Sequence, residues 1–199
     1  MADQLALPLR TPHNDLVRAV ELLGWVGTVL PELTLLGCRV VPVVALDQDV
    51  HNARRSSGYG PQRDHDVLEI WDWPQAAAHV PAAALTLSGV LVRAGTWRGG
   101  LALARTWRGF GPAAVFTGPD NTAEACLLEF QLPGVGLVIA DTAGTPALQV
   151  AAATGRQPPA RRRVLDRWVE ETLYEHALTT GAYPIRDRDE VARTAAPSW

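Results

Sequence analysis

PAAVFTGPDNTAEACLLEFQLPGVGLVIAD, residues 112–141, holds two short apolar runs on either side of a segment with a different period. PAAVFTG (112–118) and VGLVIAD (135–141) are short and rich in Val, Ile and Phe, so each reads as a buried strand. NTAEACLLEFQL (121–132) opens on Asn121 or Thr122 as a cap and reads as a helix, closed by Gly134. Strand, helix and strand with short joints make a crossover unit, so the two strands are expected side by side and parallel in one sheet.

Working outward from this unit, AAALTLSGVLVRA (82–94) predicts another strand, and the stretch from Trp97 to Arg108 a helix. Trp97, Leu101, Ala104 and Trp107 form its apolar stripe, although Gly99 and Gly100 weaken its first turn. Further upstream, CRVVPVVAL (38–46) reads as a strand in which Pro42 favours an edge or a bulge. DQDVHNARRSSGYGPQRDHD (47–66) is polar and rich in turn residues, which predicts a long loop with 47–63 as a flap, and DVLEIWDW (66–73) then reads as a strand. LVRAVELLGWVGTVL (16–30) repeats Leu16, Val20, Leu23 and Gly27 at helical spacing and follows Asn14 and Asp15 as caps, with Pro31 and Gly37 closing the region.

Downstream, TAGTPALQV (142–150) predicts a short hairpin strand, and GRQPPARRR (155–163) a linker. The long helix RVLDRWVEETLYEHAL (163–178) is expected to bury Leu165, Trp168, Val169, Leu173 and Ala177, with Arg167 and Glu171 as an i,i+4 ion pair. Residues 181–199 read as a loose tail. The expectation is one α/β domain over 1–180, a mixed central sheet flanked by helices. TWRG occurs at 96–99 and 106–109, too short a repetition to signal a repeat architecture.

The 199 residues are 47% hydrophobic, enough for one ordinary core, and carry a net charge of −3. No overall positive field draws in nucleic acid or an anionic membrane, so any polyanion site has to be local. All the basic side chains apart from histidine are arginines; the chain has no lysine. Cys38 and Cys126 lie in apolar contexts and read as buried small hydrophobes rather than as a disulfide. No segment reaches the ~18 uninterrupted apolar residues of a membrane helix, and no leader pattern is present. A cytoplasmic protein is the expectation.

The order helix, three strands, helix, strand, helix, strand resembles the restriction-endonuclease-like, or PD-(D/E)XK, nuclease superfamily. The part from Leu87 to Asp141 carries the resemblance most strongly: a strand reading G-V-L-V-R, a break ending at Trp97, an arginine-bearing helix, and the crossover unit. Family members place Glu-x-Lys on the third strand, an aspartate on an upstream strand and often a glutamate on the first helix. The carboxylates hold magnesium, which activates water against a phosphodiester. The resemblance puts Glu-x-Lys at Leu91 and Arg93, the upstream aspartate at Asp66 and the helix acid at Glu21. Leu91 cannot ligate a metal, and Arg93 stays protonated. The resemblance therefore implies a degenerate member that binds DNA or a protein, needs no cofactor, and forms its cleft around Glu21, Asp66 and Arg93. Arg93 is expected to pair with Asp66 in the vacated metal position.

Two alternatives stand beside that reading. In one, Asp66, Glu21 and Asp72 form a rearranged magnesium site, and the chain is an active endonuclease. In the other, the chain is an interaction or immunity-type protein with no nucleic-acid role. Candidate phosphate contacts are Arg54, Arg55, Arg93, Arg161, Arg162 and Arg163. Against them, a cationic run at a helix start opposes the macrodipole, and Asp166, Glu170 and Glu171 follow closely. The tryptophans at 71, 73, 97, 107 and 168 are either base-stacking platforms or packing residues. His51 and His65 match no compact zinc spacing, and His176 suits a helix C-terminus. There is no Walker loop, no G-x-G-x-x-G, and no serine with a nucleophile's surroundings. A homodimer is also open.

Overall fold

The computed structural model describes residues 13–76, 78–119, 124–156 and 163–183. A mixed sheet is flanked by helices on both faces, in the order α1 (His13–Leu22), β1 (Thr28–Val29), β2 (Leu33–Leu35), β3 (Cys38–Leu46), α2 (Gln48–Ser56), α3 (His65–Trp71), β4 (Leu85–Arg93), α4 (Trp97–Trp107), β5 (Ala113–Thr117), α5 (Glu124–Gln131), β6 (Gly136–Ala140), β7 (Pro146–Val150) and α6 (Arg163–Thr179). The sheet order is β1-β3-β4-β5-β6-β7, with β2 also paired to β3. β4, β5 and β6 run parallel, and β3 and β7 are antiparallel to their neighbours. The strands of the crossover unit pair as expected, Ala114 opposite Gly136 and Thr117 opposite Ile139. The first residues of its expected helix, 121–123, lie outside the described residues.

Alternation along the parallel strands divides the core in two. Val90, Val92, Ala113, Val115 and Leu137 face α4, α5 and α6, in a cluster with Trp97, Trp107, Phe130 and Leu173. Leu91, Ala114, Phe116 and Val138 face the other way and meet Leu16 and Ala19 of α1. Gly100 explains a feature that sequence reading counts against α4. A Cβ there would lie 2.5 Å from Val115 Cγ1, so the glycine lets the helix settle onto β5. Thr96 caps the helix through Gly99 N–H.

Pro42 lies in the interior of the sheet, not at an edge, because β3 pairs with β4 on one side and with β1 and β2 on the other. Its carbonyl accepts from Leu30 N–H at 2.9 Å, on the side where the partner changes from β2 to β1. The amide nitrogen of an extended residue points to the same side as its carbonyl, so the missing donor faces that break in the ladder. A register shift follows at once, between Val43 and Val44.

Three expectations are corrected. The segment 47–63 is not one long loop, because α2 occupies Gln48–Ser56 and is capped by the Asp47 carboxylate on Val50 N–H. DVLEIWDW is not a strand; Asp64 caps α3 instead, and Leu68 is buried. Asp, Gln and Ser at the first segment, and alternation over only a few residues at the second, hid helices whose burial depends on α6. The first helix ends at Leu22, and the apolar run beyond it forms β1 and β2. β2 turns into β3 through Leu36 and Gly37, both at positive φ (51° and 73°), the backbone of a tight hairpin.

The predicted strand after Asp141 is β7, and its turn is held by Asp141 Oδ1 accepting from Ala143 and Thr145 N–H at 2.8 Å each. On α6, Val169, Leu173 and Ala177 are buried as expected, while Leu165 and Trp168 pack half-buried against the core. Glu171 and Tyr174 are buried as well, which apolar periodicity does not foresee. The expected loose tail contains a buried residue, Tyr183; 184–199 lie outside the described residues.

Candidate functional site

Leu91 and Arg93 project from β4 toward the α1 face. Leu91 is fully buried between Val41 on β3 and Ala114 on β5, a slot with no room for a solvated ion. Arg93, near the strand's C-terminal end, directs Nη1 to Glu32 Oε2 at 3.4 Å. Glu32 also accepts from Arg39 Nη2 at 2.6 Å. The expected Arg93–Asp66 pair does not form. Glu32, placed by the turn between β1 and β2, is the carboxylate that sequence reading missed; it was hidden because 28–35 read as the end of a helical region.

The three candidate metal ligands do not converge. Glu21 is exposed on α1 and pairs with Arg18 at 3.2 Å. Asp66 is exposed in the first turn of α3, and α3 packs against α6. Because α6 belongs to one core cluster and α1 to the other, Glu21 and Asp66 stand on opposite faces of the sheet. Asp72 caps the C-terminal end of α3. Among the described residues, no group of three or more His, Cys, Asp or Glu side chains is arranged to hold a metal ion.

The arginines are similarly dispersed. Arg54 is buried under α6, Arg55 is exposed on α2, and Arg93 belongs to the opposite face of the sheet. Arg161 and Arg162 lie outside the described residues, and of Arg163 only the backbone, at the start of α6, is described. Arg108 is buried without a carboxylate; its guanidinium donates to the carbonyls of Gly111, Gly155, Ala153 and Pro133.

The most concentrated polar site joins α2 to α6. Arg54 binds Glu171 through Nη1 and Nη2, at 2.8 and 2.7 Å, and both side chains are at most 3% exposed. Glu171 also accepts from Arg167 at 2.8 Å and from Gln62 N–H at 3.0 Å. Arg54 reaches on to the carbonyls of Gly60 and Ala82, and stacks 4.6 Å from the Tyr174 ring centroid. One turn earlier on α2, His51 Nδ1 lies 2.9 Å from the Tyr174 hydroxyl, and its ring stacks on Tyr183 at 4.2 Å. Burial, then Arg55 and Arg54, hold the His51 pKa below its usual value, and burial raises both tyrosines. Glu170, beside this network on α6, is also raised by burial.

The tryptophans divide by location. Trp97 and Trp107 are core, Trp168 packs against it, and Trp25 lies on Gly89. Trp71 receives the Arg167 guanidinium at 5.3 Å, and Trp73 is exposed. His65 is exposed near Glu69, and His176 bonds the Pro31 carbonyl. Cys38 and Cys126 are buried and are not joined in a disulfide. No described helix is long and apolar enough to cross a membrane.

The class defined so far is a mixed α/β domain with a buried ionic cluster and dispersed charged surface groups. The chain significantly matches no protein-family model, no curated protein and no solved structure.

Proposed function

We propose that this chain is a catalytically degenerate, nuclease-like α/β domain that acts as a binding module, and that its partner is a protein rather than DNA. The observation that carries this reading is the pairing of its arginines. Arg18, Arg39, Arg54, Arg63, Arg93, Arg156 and Arg167 each meet a carboxylate. A DNA-binding face needs several cationic side chains presented together to phosphates. These guanidiniums are instead neutralised within the protein: Arg18 by Glu21 on α1, Arg39 and Arg93 by Glu32 between β1 and β2, and Arg54, Arg63, Arg156 and Arg167 by Asp166, Glu171 and Glu175 on α6. Exposed leucines support a protein partner: Leu128 on α5 is 60% exposed, and Leu132, just past its end, 86%.

The test is retention of fluorescent duplex DNA over a salt series, with a cleavage assay in magnesium or manganese alongside. The expected result is no salt-steep binding and no cleavage. Binding that weakens steeply with salt, and flattens in Arg161→Ala with Arg162→Ala, would restore DNA as the partner. Metal-dependent cleavage abolished by Asp66→Ala would restore the endonuclease.

A further inference from the structure

The buried ring cluster at the C-terminal end of the described chain does not belong to the β4 site or depend on its reading. Tyr183 stacks on His51 with an interplanar angle of 20°, meets Tyr174 edge-on at 5.7 Å, and donates from its hydroxyl to the Ala84 carbonyl just before β4. One aromatic side chain thus ties the segment after α6 to α2, α6 and the start of the central sheet. We propose that His51 is a proton-sensitive latch: its neutral ring holds Tyr183 in this pocket, and its protonation releases Tyr183.

Among the described residues, no carboxylate lies in ion-pair contact with His51 to neutralise an imidazolium there. From α6 the groups facing it are Tyr174 and Glu171; from α2 they are Arg54 and Arg55; Asp47 caps α2, and Tyr183 covers the ring. Glu171 is the nearby buried carboxylate, and each of its oxygens already accepts twice, from Arg54 and Arg167 on one and from Arg54 and Gln62 N–H on the other. Asp47 is engaged with Val50 N–H. Two arginines on the same helix then repel the new charge. Burial keeps Tyr174 protonated. With Nδ1 unprotonated the Tyr174 hydroxyl donates to it. Protonation makes Nδ1 a donor, reverses that bond, and leaves the Tyr174 proton to find another acceptor in a buried space.

The sign follows from the lowered His51 pKa. Below the ordinary value of 6.5 the unlatched state takes up a proton that the latched state resists. Latch stability is therefore fully present above that pH and is lost as pH falls toward the lowered pKa.

The test is nuclear magnetic resonance of the full chain from about pH 7.5 to 5, following the His51 Cε1–H and the Tyr183 ring together. The expected result is one shared midpoint below 6.5, at which Tyr183 loses its ring-current shifts. In His51→Gln, which keeps an acceptor for Tyr174 without titrating, Tyr183 stays docked throughout. In His51→Phe, which keeps the stacking, the pH response is also gone. A protonated His51 with Tyr183 still docked overturns the proposal, as does an undocking that persists unchanged in both variants.

Discussion

Arg54 and Glu171, 117 positions apart in the chain, meet as a two-pronged ion pair in the interior between α2 and α6. Neither charge has an alternative in water. Arg54 is shared among Glu171, the backbone carbonyls of Tyr59, Gly60 and Ala82, and the Tyr174 ring, and Glu171 holds the Gln62 amide that leads into α3.

Removing one partner strands the other. Arg54→Ala is expected to destabilise the fold by about 3–5 kcal/mol, because a buried carboxylate is left facing the gap. At roughly 2–4 °C per kcal/mol for a chain of this size, the melting temperature falls by about 10 °C. Arg54→Met combined with Glu171→Leu should lose less than either single change, since it removes both buried charges. Calorimetry on Arg54→Ala, the singles Arg54→Met and Glu171→Leu, the double variant and the wild type checks the order; a double variant less stable than either single contradicts it.

Arg108 makes a related prediction without a carboxylate. Arg108→Met removes the donor shared by the carbonyls of Gly111, Gly155, Ala153 and Pro133. Each carbonyl left dry costs about 1–3 kcal/mol. Urea unfolding should show a loss larger than for any exposed arginine, and Arg105→Met, on the solvent side of α4, should be nearly silent.

Gly89 tests the contact beneath α1. A Cβ there would sit 2.5 Å from the Trp25 ring, so Gly89→Ala forces the indole to move at a cost of about 1–3 kcal/mol. In a Trp25→Leu background the same substitution should cost distinctly less. A double-mutant cycle measures the difference; equal costs in both backgrounds would show that the indole is not what resists the methyl group.

Leu91 tests the comparison with nucleases. Leu91→Glu with Arg93→Lys writes Glu-x-Lys into β4, but places a carboxylate in a fully buried apolar slot. The expected outcome is a several-kcal/mol loss of stability that magnesium does not restore. A thermal shift series with and without the ion decides this; stabilisation that grows with magnesium concentration would mean that other oxygens can complete the site.

Much of the architecture is local and was therefore legible in the chain. The parallel pair around α5, the stripe on α4, the hairpin to β7 and the long final helix depend on periodicity and turn chemistry within short windows. The mixed α/β class follows from them. Local windows failed where burial comes from distant residues. Asp47 to Ser56 looks like a polar loop because His51 and Arg54 count as solvent-facing until Tyr174, Tyr183 and Glu171 are brought over them. HDVLEIW has too few residues to separate a strand's alternation from a helix turn, and its single buried position, Leu68, is settled by the helix it faces.

The candidate site divides along the same line. The absence of Glu-x-Lys at Leu91 and Arg93 and the lack of any lysine are matters of residue identity, which the sequence alone determined. Which carboxylate neutralises Arg93 was not: strand geometry brings Glu32 across from the β1–β2 turn, while Asp66 rides on α3 against α6, behind the sheet from Glu21. Side-chain chemistry is carried by each residue on its own. Pairing requires two residues to share a place, and that place is decided only when the sheet separates its two faces.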